Sequence, residues 1–550
     1  MLAARERLDT CTTVRQPWSP RERVATVAFQ LRVRKPKWFL PAPALHRLMR
    51  DYFRRRLWTV AFSVAVSVAV FSLLWSLRSW NLWNGDGEFC CKQTIGNTTF
   101  AITLSRCPLS HLGYRYLFRV LRPVTGWWVE DLIALSSCVA GLVFFWAVAL
   151  LARRIFSTGI DQFLYAAFCS SSLLLQVFCG HIEFYTWTCA LVMVFVLLAS
   201  WHLAGRMSIF WPSVVLTLAT AFHASAVFYF PGVVVLEYFR ESRDPRTRAR
   251  ALVSSLLCFA LFVCAACFHR YRVQYVVFLI LCLVGWFGWD LAPERLRAWR
   301  EGSGPWLIAL APWMVYFSVR TIFGFYAEPI LHHIAPMGEP YDHGSFLYTF
   351  WSREHLHDKL LFQWWLSPFA IPVGCLIAVA GKRRWREDGW LVFLGVSSLC
   401  AMGWEILFYP QLRIRDWDLF ASTAIPLNLL VGYGVLVLWN RGRLYLAVMV
   451  LAQLLISVPI IVDNSDLLVG RGYATAEFRS EPVSAEVYLR GLPVGQTPLT
   501  MENIRSGRAR LRLIPSDRNY RSVSRHHVFR PGEHLRFDGV LHYDSRGMAR

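Results

Sequence analysis

The chain is 550 residues long, 55% of them hydrophobic and 15% aromatic, with a formal net charge of +22. A water-soluble protein of that composition would have no surface to offer the solvent, so a polytopic membrane protein is the class that remains. The positive charge does not signal nucleic acid. No groove-reading motif is present, and the basic residues cluster between apolar runs, where they set topology.

Residues 1–56 are rich in Arg, Lys and Pro without a sustained period, and read as a basic cytoplasmic tail, a solvated topogenic segment first and a contact for anionic headgroups second. The first apolar run, 57–77, can cross a bilayer, since about 20 residues at about 1.5 Å each span about 30 Å. The tail's positive charge keeps the amino terminus inside, so this run is an uncleaved anchor and the next loop lies outside. That loop carries Asn84-Gly85-Asp86-Gly87-Glu88, and its later part, 112–124, spaces apolar and basic residues as an interfacial amphipathic helix does.

Further spans are expected at about 132–152, 162–179, 185–204, 208–222, 225–239, 251–268, 273–289, 305–322, 360–381, 390–408, 419–439 and 444–462. Five of the six inward returns end in Arg or Lys, as at Arg153-Arg154 and Lys382-Arg383-Arg384, and the other, at Trp289-Asp290, is followed by Arg295, Arg297 and Arg300. The join His269-Arg270-Tyr271-Arg272 is basic yet predicted outside, the weakest point of this topology. About 13 transmembrane helices result, an all-α polytopic bundle (57–463) in the inner, cytoplasmic membrane. Residues 464–550 change character: short runs alternating apolar and polar residues, separated by Gly, Pro and Asn, read as a small extracytoplasmic antiparallel β domain. Most cysteines sit inside apolar runs as small hydrophobes. Cys90, Cys91 and Cys107 fall outside them and could form a disulfide.

Two resemblances follow. The stretch from Ser480 to Leu499, with Pro482, Ala485, Val487, Tyr488, Gly491, Val494, Gly495, Thr497, Pro498 and then Gly507, closely resembles a PEGA domain, although Val483 and Ser484 replace two letters of its name motif. Such domains look like extracytoplasmic binding or packing modules of bacteria, which implies a cell-wall or surface-layer partner. The membrane part resembles the GT-C class of glycosyltransferases, through its many spans, an amphipathic helix after the first span and an acidic motif in the first outer loop. That resemblance implies transfer of a sugar from a polyprenyl-phosphate lipid to an extracytoplasmic acceptor. The alternative is a non-catalytic anchor that presents the PEGA domain. A transporter would show broken helices in paired halves, and no internal repeat is visible.

Asp86 and Glu88 suit a general base for an acceptor hydroxyl, although an Asp-Gly turn needs no catalytic reason. Glu183, in Gly180-His181-Ile182-Glu183-Phe184-Tyr185, is a carboxylate where the third span meets the outer face, and such carboxylates are costly between apolar spans. Arg413, Arg415, Asp416 and Asp418 form the densest charged cluster. Arginine binds phosphate bidentately, so Arg413 and Arg415 would hold the lipid phosphate, oriented by Asp416 or Asp418. Mutual salt bridging is the plain alternative. Arg353 and Lys359 are second candidates for the phosphate. A divalent metal is the one candidate cofactor: His332, His333, His343, His355 and His357 share a segment with Glu354 and Asp358, but without tight ligand spacing. No paired CxxC occurs, and the glycosylation sequon Asn97-Thr98-Thr99 is a common chance match.

Overall fold

Long apolar runs become helices because, in lipid, each backbone N–H and C=O must find its partner within the segment. A computed structural model describes residues 42–80, 87–96, 107–241, 312–313, 315–316, 341–342, 347–408, 410, 413–466, 471–490, 492–517 and 519–542. The chain divides into two units, 1–69 and 70–550. Its helices are α1 (Ala42–Ser76), α2 (Gly87–Ile95), α3 (Pro108–Thr125), α4 (Val129–Ile155), α5 (Gly159–Ser170), α6 (Leu174–Phe178) and α7 (Thr186–Leu203). They continue as α8 (Phe210–Phe222), a 3₁₀ turn (Ala224–Tyr229), α9 (Phe230–Glu241), α10 (Arg353–Leu366), α11 (Ala370–Ala380) and α12 (Gly389–Leu407). A 3₁₀ segment (Arg413–Thr423), α13 (Ala424–Leu438) and α14 (Gly442–Asn464) complete the helical part. A two-residue strand pair, β1 (Tyr341–Asp342) and β2 (Leu347–Tyr348), precedes α10.

Among the described residues, six helices are long and apolar enough to cross a membrane: Arg56–Ser76, α4, α7, α12, Asp416–Leu438 and α14. Their length and composition are those of helices able to cross a membrane. Exposed Leu444, Val448, Leu451 and Leu455 recur along one stripe of α14, as on a lipid-facing helix. Six is fewer than the 13 expected. The seventh and eighth expected spans lie outside the described residues, as do the join at 269–272 and all of the ninth span except residues 312, 313, 315 and 316. The fifth and sixth are short: α8 has 13 residues, about 20 Å, too little for about 30 Å of hydrocarbon.

Two spans expected to be continuous are broken. The run 162–179 splits into α5 and α6, and the run 360–381 is α10 and α11, bent by 77°. Pro368 accounts for the bend, because it cannot donate to the helix and pushes Ser367 out of the helical region. The breaks satisfy each other: Leu173 N–H donates to Trp365 O (3.1 Å), Asn428 Nδ2 donates to Leu366 O (3.2 Å), and Ser457 Oγ donates to Ser171 O (2.7 Å). Backbone groups freed from a helix inside a bundle need such partners.

The expected amphipathic helix is α3, started by Pro108 and stopped by Gly126 at φ +67°. The expected β domain is also present. Its strands are β3 (Tyr473–Glu481), β4 (Ala485–Leu489), β5 (Leu492–Gln496), β6 (Leu499–Arg505), β7 (Gly507–Pro515), β8 (Val523–Phe529) and β9 (His534–Val540). They form a sheet of order β6-β3-β9 and another of order β5-β4-β7-β8. All pairs are antiparallel except β3 with β9, which is parallel because the chain crosses over before its last strand. Alternate residues Ala474, Ala476 and Phe478, and Ala485, Val487 and Leu489, point into a core shared with Leu511, Leu513, Phe529 and Phe537.

Candidate functional site

The end of α1, the turn after α6 and the end of α14 meet at one end of the bundle. Ser79 N–H donates to Cys179 O (2.8 Å) and Trp80 N–H to Asn464 O (3.1 Å). At the other end of the 23-residue α14, the Arg443–Asp161 ion pair (2.7 Å) ties α14 to the start of α5.

The turn 180–185 is built to hold side chains inward. Gly180 sits at φ +54°, and a Cβ there would lie 2.4 Å from Cβ of Arg78, so only glycine fits. The carbonyls of the turn are taken by neighbours. Tyr114 of α3 donates to Glu183 O (2.8 Å), Ser110 of α3 to Phe184 O (2.9 Å), and Ser137 of α4 to His181 O (2.5 Å). With its backbone pinned, the turn buries His181 and Glu183. His181 Nε2 lies 2.9 Å from Asp418 Oδ2, Nδ1 faces Ser79 Oγ at 3.4 Å, and the ring lies against Trp417. Ligand atoms of His181, Glu183 and Asp418 all lie within 4.8 Å of one another.

A second buried cluster adjoins the first through Asp416, two residues from Asp418. Lys359 of α10 donates to Phe408 O (2.8 Å) and lies 4.0 Å from the centre of the Phe420 ring. The carboxylates of Glu405, Asp358 and Asp416 act on its ammonium group. Glu405 accepts hydrogen bonds from Gln363 (2.6 Å) and Thr423 (3.0 Å). His355 is buried, its Nε2 2.8 Å from Ile406 O, whereas His357 is exposed beside Asp358.

Of the residues singled out in the sequence, Glu183 and Asp418 come together, and Asp416 joins Lys359. Arg353 is exposed at the start of α10. The backbones of Arg413 and Arg415 belong to the 3₁₀ segment that carries Asp418, and Glu88 opens α2. Asp86, His332, His333, His343 and the sequon lie outside the described residues. Helix α2 shares an apolar cluster with α3 and the 180–185 turn, through Cys90, Cys91, Cys107, Tyr114, Ile182 and Phe184. The first loop therefore reaches the same end as Glu183. His181 and Glu405 were not legible as site residues. Their partners lie 237 and 46 residues away in sequence, at Asp418 and Lys359, and no local pattern marks such pairs. For His181 the available signal was its place two residues before a carboxylate in a glycine-led turn.

One imidazole and two carboxylates, buried and mutually close, fit the donor chemistry of a divalent cation such as zinc or manganese. This set differs from the histidine-rich segment expected from sequence.

The β domain is docked on the same end. Arg505 is paired with Asp131 at the start of α4, its guanidinium lies 4.7 Å from the centre of the Trp80 ring, and Trp80 Nε1 donates to Ser506 O (3.0 Å). Arg471 donates to Ser76 O (2.6 Å) and Arg78 O (2.9 Å); burial, then its neighbours Arg78 and Arg505, push its guanidinium down to about 10.

Residues 475–544 match the PEGA domain family, so the β domain is a PEGA domain. No curated protein matches the chain. Among solved structures, the chain is similar to the Archaeoglobus fulgidus oligosaccharyltransferase tethered to an acceptor peptide. Identity is 12% and the TM-score 0.39, over 74% of this chain and 55% of that one. The chain thus spans about half the length of that enzyme.

Proposed function

We propose that this protein is a GT-C-like glycosyltransferase of a bacterial inner membrane, moving a sugar from a polyprenyl-phosphate donor to an extracytoplasmic acceptor. One observation carries the reading: the buried His181–Glu183–Asp418 cluster at the bundle end where α2 and the 180–185 turn share an apolar cluster. Burying charge in an apolar bundle costs several kcal/mol per group, and such groups persist where chemistry uses them. The amino-terminal tail would then be cytoplasmic and the PEGA domain outside.

In the reaction, the acceptor oxygen bonds the anomeric carbon as its proton passes to a carboxylate, Asp86 or Glu88. The bond from that carbon to the phosphate oxygen breaks, and polyprenyl phosphate leaves. Arg413 and Arg415 hold the phosphate, with Arg353 and Lys359 as further contacts. His181, Glu183 and Asp418 would hold a divalent cation, which when bound offsets negative charge on the leaving phosphate. The anchor reading explains the PEGA domain but gives the buried cluster nothing to do.

The test is transfer of radiolabelled sugar from polyprenyl phosphate by purified protein in liposomes. His181→Ala and Asp418→Asn should each lower the rate about 100-fold or more, as loss of a preorganised charged group does. Transfer unchanged in both variants would refute the proposal.

A further inference from the structure

We infer that the PEGA domain is a working part of the site: Arg505 positions His181 by holding the Ser79–Trp80 segment. The inference rests on the His181 cluster being the working site, and its main readout requires no sugar transfer.

The segment 76–80 leaves α1 with carbonyls that no helix satisfies. Guanidinium groups from the C-terminal part take them up. Arg471 binds the carbonyls of Ser76 and Arg78, and Arg505 reaches that of Ser79 (3.5 Å). Arg505 is itself fixed from both sides, by Asp131 in the bundle and by Arg490, which donates to Arg505 O (2.8 Å) within the PEGA domain. Trp80 is clamped between domains, with its indole N–H on Ser506 O and its ring under three cations, Arg78, Arg471 and Arg505.

The segment held in this way carries Ser79. Gln176 Nε2 donates to Ser79 Oγ (2.6 Å), whose second lone pair faces His181 Nδ1 (3.4 Å). An imidazole that donates from Nδ1 keeps Nε2, the nitrogen facing Asp418, bare for a cation. A partner on the far nitrogen sets both tautomer and ring orientation, as ligands behind metal-bound histidines do. A contiguous path therefore runs from Arg505 to Ser79, His181 and Asp418. The same segment leads in sequence into Asn84-Gly85-Asp86, so its position also sets where the acidic loop begins.

The test uses the full-length protein in nanodiscs with ¹⁵N-labelled histidine, the His181 signal being assigned by its loss in His181→Gln. Ser79→Ala and Arg505→Gln should each shift the His181 tautomer balance, read at a single pH from its two ring-nitrogen resonances. Arg505→Lys should restore part of the shift, and Arg510→Gln, an exposed change on β7, should leave it as in the parent protein. The inference is overturned if Arg505→Gln frees Trp80, seen as faster exchange of its amide, while the two His181 ring-nitrogen resonances stay as in the parent protein. Should Arg505→Gln not fold, Ser79→Ala decides: an unmoved His181 signal overturns the inference. Absence of transfer in the parent protein would sink the functional proposal and leave the His181 readout intact.

Discussion

Replacing Asp131 with asparagine keeps the shape of the side chain at the start of α4 but removes the charge facing Arg505. The pair is buried, with side-chain exposures of 2% for Arg505 and 9% for Asp131. Breaking a buried pair by neutralising one partner costs about 3–5 kcal/mol, because the other charge stays in low dielectric. Two features soften the loss. The Trp80 face still lies under the guanidinium, worth about 1 kcal/mol. The neighbouring Glu130 also acts on Arg505, and its buried Oε2 has no hydrogen-bond partner among the described residues. The net loss is about 2–3 kcal/mol, a weakening of PEGA docking of about 30- to 150-fold. Hydrogen exchange at the Trp80 amide, bonded to Asn464 O, reads this directly, since opening of the dock exposes it. Exchange there should accelerate by that factor in Asp131→Asn. The double variant Asp131→Asn with Arg505→Gln should accelerate it less than the two single changes combined, because the partners share one interaction. Exchange within about threefold of the parent in Asp131→Asn would refute the pairing as the main tie.

Lys359→Met strips the cation from a pocket containing Glu405 and Asp358, and should destabilise the protein by about 3 kcal/mol in urea titrations; adding Glu405→Gln should recover part of that loss. His111 of α3 is buried, and burial first and Arg115 second hold its imidazole down at about 4. The unfolded chain then binds the proton first, so stability should fall as pH drops from about 6.5 towards 4, by about 2 kcal/mol at pH about 4.5. His111→Gln should flatten that dependence, measured as Tm against pH, and an equally steep variant would contradict it. Chelation of divalent metal should slow transfer, with activity restored by added manganese or zinc, if His181, Glu183 and Asp418 hold an ion; transfer indifferent to chelator would refute a bound cation in that set.

What the sequence by itself determined is what depends on neighbours along the chain. Apolar runs the length of a bilayer became α4, α7, α12 and α14; Pro108 and Gly126 bounded the amphipathic helix; and the alternation after residue 472 became the PEGA domain. Glu183 stood out in the sequence because a carboxylate at the edge of an apolar run is costly enough to need a reason, and Asp418 as a member of the densest charged cluster. Only the tertiary structure decided who meets whom. The break at 171–173 holds because Trp365 and Ser457 supply hydrogen bonds from distant helices, and neither is visible in a hydropathy profile. His181 becomes a site residue only when Asp418, far along the chain, arrives 2.9 Å away. Arg505, one arginine in a basic tail, acquires its role from Asp131 and Trp80. Periodicity and composition act over a few residues, whereas the partner of a buried charge is set by the packing of the whole bundle.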